Sequence, residues 1–313
     1  GVVVKNAVGT HGAYIDITID ENTPDVLYYW CYNHSGMGGE IQVRNNFNNK
    51  RLNLTSKQLL KKLFVNDVEL DTLILPGGTG GLHILDCSGN NINNIDITNH
   101  YYIYSLNVSD NNLSSINLSN FGSFDGDGSI DISRNNITNL TLPMFYGETK
   151  LRHLSAHDNP LVMASIQDNS KIDVIDLSYT NLAFFELPSG TEVKELYMHN
   201  CRLGEILMTG TIDNSLEQCT IIDVSTNNLS QVPFISSENH TIPRNIDYIN
   251  LANNNLSTGA ISELMRALVN SYSGHLAPKL VINIKNNPGD VSNVDINTLR
   301  EIWGNRLTII YDV

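Results

Sequence analysis

Cationic residues are scarce in this chain: 19 lysines and arginines stand against 33 aspartates and glutamates, a formal net charge of -14 with histidine neutral. Affinity for nucleic acid rests on Lys and Arg neutralising phosphates, so that partner class is excluded, and anionic membrane surfaces are disfavoured for the same reason. Long apolar runs are missing as well. None approaches the ~18 residues that a membrane-crossing helix needs, and no charged-then-apolar leader opens the sequence. Because the chain begins on Gly1 rather than methionine, it is expected to be a piece of a longer parent, and the missing leader says little about secretion. Cysteine is sparse too. Cys31, Cys87, Cys201 and Cys219 are too few for a disulfide framework in 313 residues.

What is present is a ladder of eight-residue phrases. They read LDCSGNNI from Leu85, LNVSDNNL from Leu106, IDISRNNI from Ile130, LSAHDNPL from Leu154, IDLSYTNL from Ile175, LYMHNCRL from Leu196, IDVSTNNL from Ile222, INLANNNL from Ile249 and INIKNNPG from Ile282. Successive starts are 21, 24, 24, 21, 21, 26, 27 and 33 residues apart. Each phrase is one short strand with alternate residues inward, as Leu85 and Cys87 are, followed by a turn. The turn residue is Asn90 and its equivalents Asn111, Asn135, Asn159, Thr180, Cys201, Asn227, Asn254 and Asn287. Their side chains can satisfy backbone groups that water cannot reach. The pattern resembles the leucine-rich repeats of bacterial or viral proteins over about two thirds of the chain. The implied fold is an α/β solenoid with helical caps. A regular parallel β-helix fits less well, since it would want a shorter, stricter period and no turn asparagine.

The first 45 residues lie outside this pattern and are expected to form a small all-β module. Strands are predicted around Ile15 to Ile19, Val26 to Trp30 and Ile41 to Arg44. Between the last two lies YYWCYNHSGMGG, in which Cys31, His34 and Met37 have CxxHxxM spacing. That loop resembles the copper loop of cupredoxins, where thiolate, imidazole and thioether are ligands. The resemblance implies a second histidine from an earlier strand, and His11 alone precedes the loop, in a phrase that reads as a turn. The module therefore resembles half of a cupredoxin domain, more a structural remnant than a copper site, and no cofactor is expected.

Residues 46–75 read as an Asn-rich linker and an N-terminal cap. Thr55 and Gln58 suggest a capping box, and Leu59, Leu60, Leu63 and Phe64 fall on one helical face. The solenoid is expected over 76–289. Ile261, Leu264, Met265 and Leu268 predict a helix in its later part, and residues 290–313 a closing helix and strand, with Ile296, Leu299, Ile302 and Trp303 at helical spacing. In FGSFDGDGS, Asp125 and Asp127 are too short a set for a calcium loop and read as a Gly-rich insertion. Sequons at Asn107, Asn112, Asn117, Asn136, Asn139, Asn228 and Asn255 follow from the repeat grammar itself.

Candidate recognition residues are those that point outward between the inward pairs, on the concave face of such a solenoid. One row is Asp86, Asn107, Asp131, Ser155, Asp176, Tyr197, Asp223, Asn250 and Asn283, and the next is Ser88, Ser109, Ser133, His157, Ser178, His199, Ser225, Ala252 and Lys285. With His153 added, the face reads as acidic and hydroxylic, with His153, His157, Tyr197 and His199 as a central patch. Alternate coils lie roughly 10 Å apart, too far for their aspartates to share a metal ion or a proton. No serine has a base of unusual environment beside it, so catalysis is not expected.

The β-module joined to an Asn-rich solenoid resembles the virion structural proteins of marine bacteriophages, cyanophage-type tail fibres in particular. That resemblance implies a virion location, a host-surface protein or glycan as partner, other fibre subunits as neighbours, and possible trimers. A secreted or cell-surface bacterial adhesin, and a copper protein with an interaction domain, stay open as alternatives.

Overall fold

A phrase with inward residues two apart and a polar reversal after four residues can only be a short strand that turns away at once. Stacking such phrases pairs each strand with the same strand of the next coil. A computed structural model shows this arrangement. It describes the backbone of residues 2–5, 14–17, 26–30 and 38–42. From residue 50 to 312 it describes all but 58, 78–80, 122–125, 144–149, 169, 209–215, 236–239 and 275–276. The chain divides into two compact units, Gly1–Thr149 and Lys150–Val313.

In the first unit the parallel strands Lys62–Phe64, Ile84–Asp86, Ser105–Asn107 and Asp127–Asp131 follow one another in chain order. The register places Leu63 beside Leu85, Leu85 beside Leu106, and Leu106 beside Ile130. A second ladder pairs Arg51–Asn53 with Thr72–Ile74 in parallel. Ahead of it, Val2–Lys5 pairs antiparallel with Tyr14–Ile17, and Val26–Trp30 antiparallel with Gly38–Gln42. The stretch that holds Cys31, His34 and Met37 lies outside the described residues, as do His11 and Gln58.

In the second unit the parallel series runs Lys150–Ser155, Lys171–Asp176, Glu192–Tyr197, Ile221–Asp223, Tyr248–Asn250, Leu280–Asn283 and Leu307–Ile310. Phe184–Leu187 pairs with Glu205–Met208 on a separate ladder. The helix Thr258–Ser271 starts at Ser257, whose hydroxyl accepts from Ala260 N at 3.2 Å, and it buries Ile261, Leu264, Met265 and Leu268 as the spacing predicts. A second helix, Asn293–Trp303, precedes the last strand and buries Ile296, Leu299 and Trp303.

The helix expected over Thr55 to Phe64 is not formed. Lys62–Phe64 is a strand, and Leu59 is exposed. LFVNDVEL from Leu63 is a further repeat: Val65 N donates to Asp86 O at 2.8 Å, and Asp67 N to Ser88 O at 3.0 Å. Leu63, Val65 and Leu70 are buried like Leu85, Cys87 and Ile92. Cross-coil backbone hydrogen bonds outweigh a helical propensity worth only tenths of a kcal/mol per residue. The solenoid thus begins inside the segment assigned to a cap.

Two devices hold each coil. The first is the turn side chain. Asn111 Nδ2 donates to Cys87 O, Val108 O and Ser109 O, while its Oδ1 accepts from Ile92 N at 2.9 Å. Asn90, Asn135, Asn227 and Asn254 repeat this, each reaching one coil back. The second is a left-handed residue just before the turn position. Asp67, Asp110, Arg134, Asp158, Tyr179, Asn200, Thr226, Asn253 and Asn286 all have φ between 51° and 58°, and Gly89 has 65°. This backbone form turns the N–H sideways, so that Tyr179 N donates to His199 O at 2.9 Å and Thr226 N to Ala252 O at 2.8 Å. The strain of a side chain at positive φ is accepted at each step in return for a coil-to-coil hydrogen bond.

Candidate functional site

Within each unit the predicted strand row lies in register, Asp86 beside Asn107 and Asn107 beside Asp131 in the first, and Ser155, Asp176, Tyr197, Asp223, Asn250 and Asn283 in succession in the second, but the Asp and Asn side chains serve their own turns first. Asp86 Oδ1 accepts from Ser88 N at 3.1 Å and Ser88 Oγ at 2.7 Å. Asn107 does the same with Ser109, Asp131 with Ser133, and Asp223 with Ser225. Asp176 accepts from Ser178 N, Asn250 from Ala252 N and Asn283 from Lys285 N. The acidic face read from the sequence is thus not a row of free acceptors, since each of these groups clamps its own turn. The hydroxylic row is also corrected. Ser109, Ser133, Ser155, Ser178 and Ser225 are buried and offer no hydroxyl to a partner.

The candidate residues His153, His157, Tyr197 and His199 all lie in the second unit. His153 is exposed and stands beside Val174. His157 Nδ1 lies 2.7 Å from Asp158 Oδ2. Tyr179, half exposed, meets His199 edge to face with ring centroids 4.9 Å apart, and Asn200 Nδ2 is 3.1 Å from His199 Nδ1. Tyr197 donates its hydroxyl to Glu195 Oε2 at 2.9 Å. Its phenol is pushed up to about 12, by burial first, then by the Glu195 hydrogen bond and the charges of Glu195, Asp176 and Asp223. Burial and Asp223 likewise raise Tyr248. Around Tyr197 the surface is therefore aromatic and bears the carboxylates of Glu195, Asp176 and Asp223.

Tyr179, and all but His153 of the row two residues before Tyr197, were missed by reading outward positions only between the inward pairs. That row is His153, Val174, Glu195, Ile221, Tyr248, Val281 and Thr308, in continuous register. Its signal was available: each member immediately precedes the first inward residue of its phrase, as Ile221 precedes Ile222.

Nothing in the described chain is arranged for catalysis. Burial pushes the Cys219 thiol up to about 12 and raises Cys87 and Cys201 as well, which removes the thiolates that nucleophilic chemistry needs. Among the described residues no group of three His, Cys, Asp or Glu could hold a metal ion. Asp125 lies outside them, and Asp127 begins a strand. No described helix is long and apolar enough to cross a membrane.

Residues 102–161 match the family model for the leucine rich repeat. Among solved structures, the LRIM1/APL1C complex is similar at 18% identity, over 82% of this chain and 51% of that one, with a TM-score of 0.46. A leucine-rich repeat protein from Bacteroides thetaiotaomicron is similar at 14% identity, over 84% and 36%, with a TM-score of 0.49. The functional domain of InlJ from Listeria monocytogenes is similar at 14% identity, over 74% and 49%, with a TM-score of 0.41. The chain spans about half the length of the first of these solved chains, InlJ at 49% and LRIM1/APL1C at 51%. No curated protein matches the sequence. The family match over residues 102–161, the parallel coils and the asparagine ladder define a solenoid of the leucine-rich-repeat type.

Proposed function

We propose that this chain is a non-enzymatic recognition protein that binds a cell-surface partner through the solvent side of the sheet in its second unit. The observation that carries the reading is the cluster of His153 and Tyr197 on strands with His157, Tyr179 and His199 in the turns that follow, on consecutive coils joined by backbone hydrogen bonds. A fixed aromatic surface forfeits little side-chain freedom on binding, and aromatic groups are the usual anchors of protein interfaces.

In its finer form the reading is a virion tail fibre that recognises a bacterial host, joined to other fibre subunits and assembled as a trimer. It is supported by the succession of β-module and Asn-rich solenoid. A bacterial cell-surface adhesin would use the same surface equally well. Neighbouring genes for virion proteins support the fibre, and their absence supports the adhesin. A blue absorbance on adding Cu(II) would overturn the expectation that no cofactor is bound.

The test is binding of the labelled chain to a panel of bacterial strains, beside a variant with His153, His157, Tyr197 and His199 changed to alanine. Strain-selective binding that the variant loses supports the proposal. Selective binding that the variant keeps moves the site elsewhere, and binding to no strain overturns the recognition role.

A further inference from the structure

The sheet face of the second unit is not uniformly polar. Ile221, Tyr248 and Val281 stand on three consecutive coils in direct register, half exposed. At about 4.8 Å per coil they form an apolar stripe about 10 Å long. Glu195 continues the row on the coil before Ile221, Asp223 lies two residues along the strand from Ile221, and exposed Asp247 directly precedes Tyr248. Asp223 is held in place: Ser225 N, Ser225 Oγ and Asn250 Nδ2 all donate to it, at 3.0, 2.7 and 3.1 Å. The cations nearest this stripe are Lys279, exposed and two residues before Val281, Lys285, four residues beyond it, Lys194, which is ion-paired with Asp173 at 2.9 Å, and Arg152 on an earlier strand.

From this we infer that the partner bound here is a polypeptide segment carrying apolar side chains next to lysine or arginine. The inference rests on the recognition reading above and names its partner class. A glycan fits the same surface poorly. Glycan recognition needs a dense set of outward donors and acceptors, whereas the serines here are buried and the Asp and Asn Oδ1 atoms are committed to their turns. Aliphatic Ile221 and Val281 offer a sugar hydroxyl nothing. They do offer leucine or phenylalanine side chains an apolar contact, while the carboxylates alongside attract cations and repel acidic segments.

The experiment is fluorescence anisotropy with three labelled dodecapeptides: alternating lysine and leucine, glutamate and leucine, and lysine and serine. A glycan array is run in parallel. The Lys-Leu peptide is expected to bind saturably and more weakly as salt rises, because the charges are exposed and screened. The other two peptides should bind at least about tenfold more weakly, which corresponds to about 1.4 kcal/mol. The charge variant E195Q/D247N and the apolar variant I221S/V281S should each lose about tenfold for Lys-Leu. The charge variant changes exposed or half-exposed groups only, so it decides the matter even if the apolar variant folds poorly. Equal binding of Glu-Leu, or unchanged binding by E195Q/D247N, overturns the inference. So does binding confined to glycans. In that last case strain-selective cell binding would survive, and the recognition reading with it.

Discussion

Thr180 Oγ1 and Cys201 Sγ lie 3.2 Å apart, side chain against side chain, at the two successive turn positions where the asparagine ladder is interrupted. Both still reach Leu177 O, at 2.9 and 3.3 Å, so the pair replaces the donor half of the amide. The acceptor half, which elsewhere takes an N–H of the coil before, as Asn227 takes that of Leu203, has no counterpart in a thiol. Cys201→Asn is therefore expected to stabilise the chain by about 1 kcal/mol, the net worth of a hydrogen bond gained at a buried backbone group. The urea midpoint checks this, and a lower midpoint would show that the Thr180–Cys201 contact was the better solution.

Removing an intact rung has the opposite sign. Asn135 serves Val108 O, Ile132 O and Ser133 O and accepts from Leu113 N. Asn135→Ala leaves these groups short of a partner inside the coil. A loss of about 3 kcal/mol is expected, since each buried unsatisfied group costs about 1–3 kcal/mol. A loss under 1 kcal/mol in urea unfolding would mean that water enters the turn.

The left-handed row offers a gain. Thr226 holds φ 56° although it is β-branched, where a side chain is strained most. Asn occupies the same place at Asn200, Asn253 and Asn286. Thr226→Asn should raise stability by about 1 kcal/mol, the usual difference for leaving that region unfavourably occupied. No rise in thermal midpoint would count against the strain.

Asp173 gives a pH dependence. Burial raises its pKa, but hydrogen bonds and charge from Lys150 and Lys194, at 2.7 and 2.9 Å, more than offset this and hold it below 3.8. A depressed carboxylate contributes stability that is present above the unfolded value of about 3.9 and lost as pH falls through the folded value. Stability should thus decline below about pH 4, and Asp173→Asn should be less stable at neutral pH with a shallower acid limb. Parallel acid limbs for the two proteins would rule the ion triad out as a contributor.

The reading of YYWCYNHSGMGG and of its neighbours remains an expectation, because those residues lie outside the described ones. Elsewhere the mismatches have clear causes. KLFVNDVEL escaped as a repeat because Val68 fills the asparagine position and Leu59, Leu60 and Leu63 mimic a helical face. Asn90 still reaches back to Leu70 N and Val65 O of that coil, as the other rungs do to the coil before them.

Repetition was legible in the chain because every coil must solve the same problem with local chemistry: inward apolar pairs, a turn amide and a polar reversal. Those choices are made residue by residue, so the strand positions, the ladder and the two C-terminal helices could be read from spacing. Which outward groups remain available to a partner could not. Whether Asp86 faces water or clamps Ser88, and whether Ile221, Tyr248 and Val281 form a continuous stripe, depends on turn geometry and inter-coil register. Register is set by hydrogen bonds between residues twenty or more apart in sequence, and it exists only once neighbouring coils have docked.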